Sequence, residues 1–103
     1  MPDAIKLSHT AAMILQTVDN GCSYGFDIMD ATGLPSGTVY PALRRMETEG
    51  LVASNWESSK KAAIGQRPPR KYYRVTAAGS RVLTEVQKRY PLLEKLAAAK
   101  SRA

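Results

Sequence analysis

At 103 residues the chain has room for one domain with a single modest core. Its net charge of +6 is uneven: residues 1–59 hold three Lys/Arg against seven Asp/Glu, and residues 60–103 hold twelve against two, which suits the second half to an anionic partner. The lone cysteine, Cys22, excludes an internal disulfide or a thiolate cluster, and the longest early apolar run, Ala11 to Leu15, is too short for a signal core or a membrane span, so the cytoplasm is the expected compartment.

Residues 1–7 read as a short tail. Ser8 is placed to cap a first helix that runs to about Asp19, with Ala11, Ile14, Leu15 and Val18 as its buried stripe and Asn20-Gly21 as its stop. His9, the only histidine, has no Cys or second His near it and reads as a solvated first-turn residue. Ser23 is expected to cap a second helix from Tyr24 to about Thr32, with Phe26, Ile28 or Met29, and Ala31 as its apolar contacts and Gly33 as its end. Leu34-Pro35 then turns the chain into a third helix. There Val39, Leu43 and Met46 form one buried stripe, while Thr38, Pro41, Arg44, Arg45 and Thr48 face outward. Pro41 fits because its ring meets the carbonyl of Gly37, the least crowded residue for that position. Gly50 is expected to end this helix in the left-handed region. Two short helices joined by a tight turn, the second carrying basic groups outward, match a helix-turn-helix.

Leu51 to Glu57 and Arg70 to Val75 read as two antiparallel strands, with Tyr73 and Val75 on one face of the second and Tyr72 and Arg74 on the other. The connection from Ser58 to Pro69 is long for a hairpin loop, so it is either functional or disordered, and it would be the wing; a flexible solubilising loop is the alternative. Lys60, Lys61, Arg67, Arg70, Lys71 and Arg74 supply six positive charges with no acidic residue among them, a composition suited to tracking phosphates. Trp56 is expected to anchor the base of this wing by packing. Thr76 can cap a last helix, in which Gly79, Val82, Val86, Tyr90, Leu93 and Ala97 recur at about 3.5-residue spacing. That stripe suits a partner helix, the first helix of the same chain, or both in part. Pro91 should kink or divide the helix after Tyr90.

Three motifs in order, Gly25-Phe26-Asp27-Ile28, then Gly37-Thr38-Val39-Tyr40-Pro41 with Leu43, Arg45-Met46-Glu47 and Gly50-Leu51-Val52, and then Pro69-Arg70-Lys71-Tyr72-Tyr73-Arg74-Val75-Thr76, resemble the signature of PadR-type transcriptional regulators. The resemblance spans roughly Ala11 to Gly79. It implies a winged helix-turn-helix, a homodimer and bacterial repression of transcription, often with a small molecule sensed between the dimer helices.

The expected fold is therefore mainly α with a small antiparallel β-ribbon (α+β). Residues 1–76 would form the winged helix-turn-helix and residues 77–103 a dimerisation helix. Ser36, Gly37, Thr38, Tyr40, Arg44 and Arg45 on the third helix, with Lys60, Lys61, Arg67, Arg70 and Lys71 on the wing, would contact a two-fold double-stranded DNA operator. Ser36 is the hydroxyl expected to cap the helix or meet a phosphate. Val82, Val86, Tyr90, Leu93 and Ala97 would form the dimer interface. No catalytic pair, nucleophile motif, metal-ligand spacing or cofactor loop is visible, so no enzyme, metal or cofactor is expected. A winged helix that binds protein and has lost DNA binding is the main alternative. RNA binding would call for exposed aromatics, for which Tyr72 is the candidate.

Overall fold

The first helix, α1 (His9–Asp19), is the element on which the others are packed: α2 (Gly25–Thr32), α3 (Ser36–Thr48), β2 (Lys71–Val75) and α5 (Ala77–Arg89) all rest against it. The computed structural model describes residues 7–91. Ser8 caps α1 as expected, its hydroxyl accepting from the Ala11 amide at 3.1 Å. The buried surface of α1 is wider than its apolar stripe. Ala12, in place of the expected Ala11, is buried with Ile14, Leu15 and Val18, Ala11 being only half-buried, and Gln16 and Thr17 join them inside. Each of these polar side chains is hydrogen-bonded, as burial requires. Gln16 donates to Asn20 Oδ1 at 3.0 Å and accepts from Gln87 on α5 at 2.6 Å, and Thr17 donates to the Met13 carbonyl at 2.7 Å. Cys22 is buried as a small apolar residue, and burial pushes its thiol pKa up, helped by Asp27.

The segment before α2 is extended. The Tyr73 amide donates to the Ser23 carbonyl at 2.6 Å, and Tyr24 makes a β-bridge with Tyr72. Ser23 therefore bonds to β2 through its carbonyl and does not cap α2: the helix begins at Gly25, with Tyr24 at the cap position and no side-chain cap. Ile28 fills the core place on α2, and Phe26, expected to pack, is 72% exposed.

Gly33 (φ 74°) closes α2, and its amide returns to the Met29 carbonyl at 2.8 Å. Val39, Leu43 and Met46 seat α3 in the core, with Pro41 within the helix. Its end is a paired left-handed cap: Gly50 (φ 79°) donates to Glu47 O at 3.0 Å and Leu51 to Met46 O at 2.8 Å, and the buried Leu51 side chain locks the turn.

The sheet pairs β1 (Val52–Trp56) with β2 in antiparallel register, Val52 opposite Val75, Ser54 opposite Tyr73 and Trp56 opposite Lys71. The connection, read from the sequence as a loop, is partly helical. It contains α4 (Ser59–Ile64), capped by Ser58 and held by the buried Ala62.

Thr76 caps α5 by accepting from Gly79 N at 3.0 Å, and it donates to Gly50 O at 2.6 Å, so α5 is tied to the turn that ends α3. Leu83 and Val86 enter the same core as α1. The helix ends at Arg89, before Pro91, as the proline requires.

This arrangement corrects the reading of the α5 stripe. Val86, expected between subunits, is 2% exposed inside its own protomer. Val82 packs on the core edge, and Tyr90 reaches back to α1, its hydroxyl donating to Leu7 O at 3.4 Å and its ring meeting His9 edge-to-face at 4.8 Å. Leu93 and Ala97 lie outside the described residues.

Candidate nucleic-acid interface

With Val39, Leu43 and Met46 turned inward, the opposite side of α3 presents Ser36, Gly37, Tyr40, Pro41, Arg44 and Arg45 to solvent, with Thr38 half-buried beside them. Ser36 does not cap the helix. Pro35 holds that position, and its carbonyl accepts from the Thr38 and Val39 amides, both at 3.0 Å. Ser36 is the first helical residue, and its hydroxyl has no role in capping α3. A side chain at Gly37 would meet nothing within 4 Å, so the helix is bare there and open to close approach.

The two arginines diverge. Arg44 borders a cleft shared with the wing, whereas Arg45 lies by Thr38, Pro41 and Ala42 beside the start of α1. Arg45 also pairs with Glu49 at 3.5 Å, an exposed i,i+4 contact worth only about 0.3–0.5 kcal/mol.

The expected block of six free wing charges is divided by pairing. Lys60 and Lys61 stand exposed on α4, and Arg74 is exposed on β2. Arg67 is instead bound to Glu57, Nη2 to Oε2 at 2.8 Å, with Nη1 on Oε1 as a second contact. The Arg70 amide at 3.3 Å and the Tyr72 hydroxyl at 3.4 Å also donate to this carboxylate, whose side chain is only 2% exposed. Lys71 lies 3.6 Å from Glu47, which also accepts from the Ser54 hydroxyl at 2.5 Å, so β1, β2 and α3 are cross-linked by polar contacts. The Arg70 guanidinium stacks over Tyr24 at 4.2 Å, and Tyr24 meets Tyr72 edge-to-face at 5.6 Å. Arg67 and Lys71 thus brace the wing, and Lys60, Lys61, Arg70 and Arg74 carry its outward charge.

Glu57 gives this brace a pH signature. The Arg67 hydrogen bond, with those of Arg70 and Tyr72, holds its carboxyl down at about 2 against an ordinary 4.5, despite opposition from burial. Between those values the unfolded chain takes up a proton that the folded chain refuses, so stability falls as pH falls. The contribution is complete above pH 4.5 and is lost as pH drops through about 2. Urea unfolding of the parent and of Glu57→Gln at several pH values across this window checks it. The variant should show a shallower loss of stability on acidification, and parallel curves would refute the assignment.

Two aromatic side chains depart from expectation. Trp56, expected to pack, is 67% exposed, and so is Phe26 at 72%. The register explains Trp56. Directly paired residues share a sheet face, so Trp56 is on the face of Val52, Ser54, Tyr73 and Val75, but at the end that projects past the core. Phe26, Tyr40, Trp56 and Tyr73 line a cleft of about 520 Å³ between α3 and the wing, with Arg44, Glu47, Arg70 and Lys71 among its polar groups. Tyr40 reaches deep into it because Gly25 has no side chain; a methyl group there would overlap the Tyr40 ring. Burial raises the pKa of the Tyr73 hydroxyl, and Glu47 reinforces the shift.

Among the described residues no helix is long and apolar enough to cross a membrane, and no group of three or more His, Cys, Asp or Glu is placed to hold a metal ion.

The family model for the PadR-like transcriptional regulators matches residues 14–85. No curated protein matches the chain. Among solved structures, a PadR-like transcription factor from Bacteroides fragilis is similar at 28% identity and TM-score 0.67, covering 82% of each chain. A PadR family transcriptional regulator from Eggerthella lenta is 34% identical with TM-score 0.63, covering 82% of this chain and 74% of its own. A PadR family regulator from Clostridium difficile R20291, at 24% identity, shares the fold with TM-score 0.70 over 86% of this chain and 94% of its own. Helix-turn-helix, two-stranded wing and family match agree: this chain belongs to the PadR-like family of transcriptional regulators.

Proposed function

We propose that the chain is a sequence-specific repressor that binds double-stranded DNA as a cytoplasmic homodimer, with a small-molecule effector. The observation that carries this reading is the two-sidedness of α3. One side is locked into the core by Val39, Leu43 and Met46, and the other offers bare Gly37, Tyr40 and Arg44 next to a braced basic wing. A helix held this way has a fixed direction, which reading base edges in the major groove requires. Lys60, Lys61, Arg70 and Arg74 suit the flanking phosphates, where each neutralised charge releases counterions. Among the described residues one copy offers these two elements, and two copies on a two-fold operator would account for useful affinity. Val86 is buried in its own protomer, so the proposed subunit contact keeps Leu93 and Ala97 and omits Val86.

Selection of bound duplexes from a random DNA pool tests the reading. A two-fold motif should emerge, bound with a steep salt dependence, and no enrichment would sink the proposal. Sedimentation at micromolar concentration should show a dimer of the 11.2 kDa chain, and Leu93→Asp should yield monomer. A parent protein that sediments only as monomer would remove the homodimer from the proposal.

A further inference from the structure

The wing helix α4 is amphipathic in the reverse sense. Its one buried side chain is the small Ala62, while its largest apolar side chain, Ile64, is 79% exposed. No other large apolar group among the described residues is exposed as far. At about 3.6 residues per turn, Lys60 and Ile64 fall together on the side opposite Ala62, and Lys61 is the other helical neighbour of Ile64. Both lysines are exposed.

The outward isoleucine is held in place. Ser58 caps the start of α4, accepting from the Lys61 amide at 3.1 Å. At the other end the Gln66 amide donates to Ala63 O at 3.0 Å and the Arg67 amide to Ala62 O at 3.2 Å, with Gln66 in the left-handed region (φ 56°). The Arg67 side chain is in turn clamped by Glu57. Rolling α4 to bury Ile64 would break these bonds.

The surroundings choose the partner. No acidic residue occurs from Ser58 to Thr84, which suits an anionic surface. An apolar tip beside two ammonium groups matches the minor groove of a duplex, where sugar and base edges lie between rows of phosphates. An anionic membrane is a poor match, because one isoleucine on a six-residue helix offers too little apolar area to anchor it. The base of the wing and α3 border one cleft, through Arg67, Arg70 and Arg44, so the two elements face the same side of the molecule.

We infer that Ile64 is an apolar wedge: with α3 in the major groove, α4 meets the adjacent minor groove, Ile64 opens a base step there, and Lys60 and Lys61 hold flanking phosphates. The inference rests on the reading of α3 as the DNA-contacting helix. Its consequence is that the chain bends its operator and favours a flexible pyrimidine–purine step at a position where no hydrogen bond reads a base.

The test uses the full-length chain and duplexes of roughly 30 base pairs that carry the selected motif and a dye at each end, so that energy transfer reports bending. A TA step is moved in turn through the positions flanking the motif. Binding should bring the duplex ends closer, and one position in each half-site should favour TA over AA by roughly fivefold or more. Ile64→Ala should abolish both the bend and the step preference. The helix itself should survive, because Ile64 is exposed and alanine is the better helix former. Ile64→Leu, which keeps an apolar wedge, should retain both effects, and Lys60→Ala should weaken all duplexes alike without changing the step preference. If Ile64→Ala bends the duplex as the parent does, or keeps the step preference, the wedge is wrong, and operator binding with a steep salt dependence leaves the DNA reading standing. If no duplex binds at all, the DNA reading falls and the wedge falls with it.

Discussion

Replacing Gly79 by alanine should lower the thermal unfolding midpoint by roughly 10 °C or more. A Cβ at this position would overlap the Leu51 carbonyl oxygen and lie 2.9 Å from the carbonyl carbon, both backbone atoms that no rotamer change can move aside. The neighbourhood is already pinned. Thr76 donates to Gly50 O at 2.6 Å, and its amide donates to Leu51 O at 3.0 Å. The start of α5 would have to lift, pulling Leu83 and Val86 out of register with α1. Overpacking of this kind costs about 1–3 kcal/mol, and the rigid obstacle places Gly79 at the upper end. For a domain of this size each kcal/mol corresponds to roughly 4–8 °C. Gly37→Ala is the natural control. It is also a helical glycine, but its added methyl meets nothing within 4 Å, so it should be neutral or stabilise by up to about 1 kcal/mol. Differential scanning calorimetry of the two variants decides the matter. If Gly79→Ala melts with the parent, the close seating of α5 on the α3 turn is wrong.

Arg44→Ala should cost roughly 1–3 kcal/mol on the selected operator and much less on scrambled duplex, because a bidentate contact to guanine discriminates between base pairs. Arg44 is preferred to Arg45 as the reader. It faces the wing side of α3, whereas Arg45 sits towards α1 and is partly engaged by Glu49. Lys60→Ala and Lys61→Ala should behave differently. Both residues stand on the short exposed α4, remote from α3 in sequence and suited to phosphates rather than to base edges. Each should weaken operator and scrambled DNA by similar factors and reduce the salt slope by about one. Arg67→Ala belongs to neither group. Its first effect should be on wing stability through Glu57, with DNA affinity following. Binding of each variant to both duplexes across a salt series separates the roles. Loss of sequence preference in the lysine variants, with preference retained in Arg44→Ala, would mean that the proposed docking is inverted.

Features carried by neighbours three or four residues apart were legible from the sequence. The stripe of α1 apart from Ala11, the stripe of α3, the hydroxyl caps Ser8 and Thr76, the end of α2 at Gly33, the left-handed Gly50 and the stop before Pro91 depend on local geometry, and the structure has each of them. Where the groups on those elements point, and what they meet, depended on packing between distant segments. Glu57 and Arg67 are ten residues apart and meet only because the hairpin closes over them, which turned a free charge into a brace. Trp56 and Phe26 have core-like side chains but occupy positions beyond the core's edge, so apolar character alone misplaced them. Gln16 is buried because Gln87, 71 residues further on, supplies its partner. Val86 has the spacing of an interface residue, but α1 reaches it first, and a periodic stripe cannot specify which surface will cover it. Local chemistry determined most elements and the Ser8 and Thr76 caps, but it misplaced the caps of α2 and α3 and missed α4; the tertiary structure decided which charges remain free and which rings face solvent, because both depend on contacts between residues far apart in the chain.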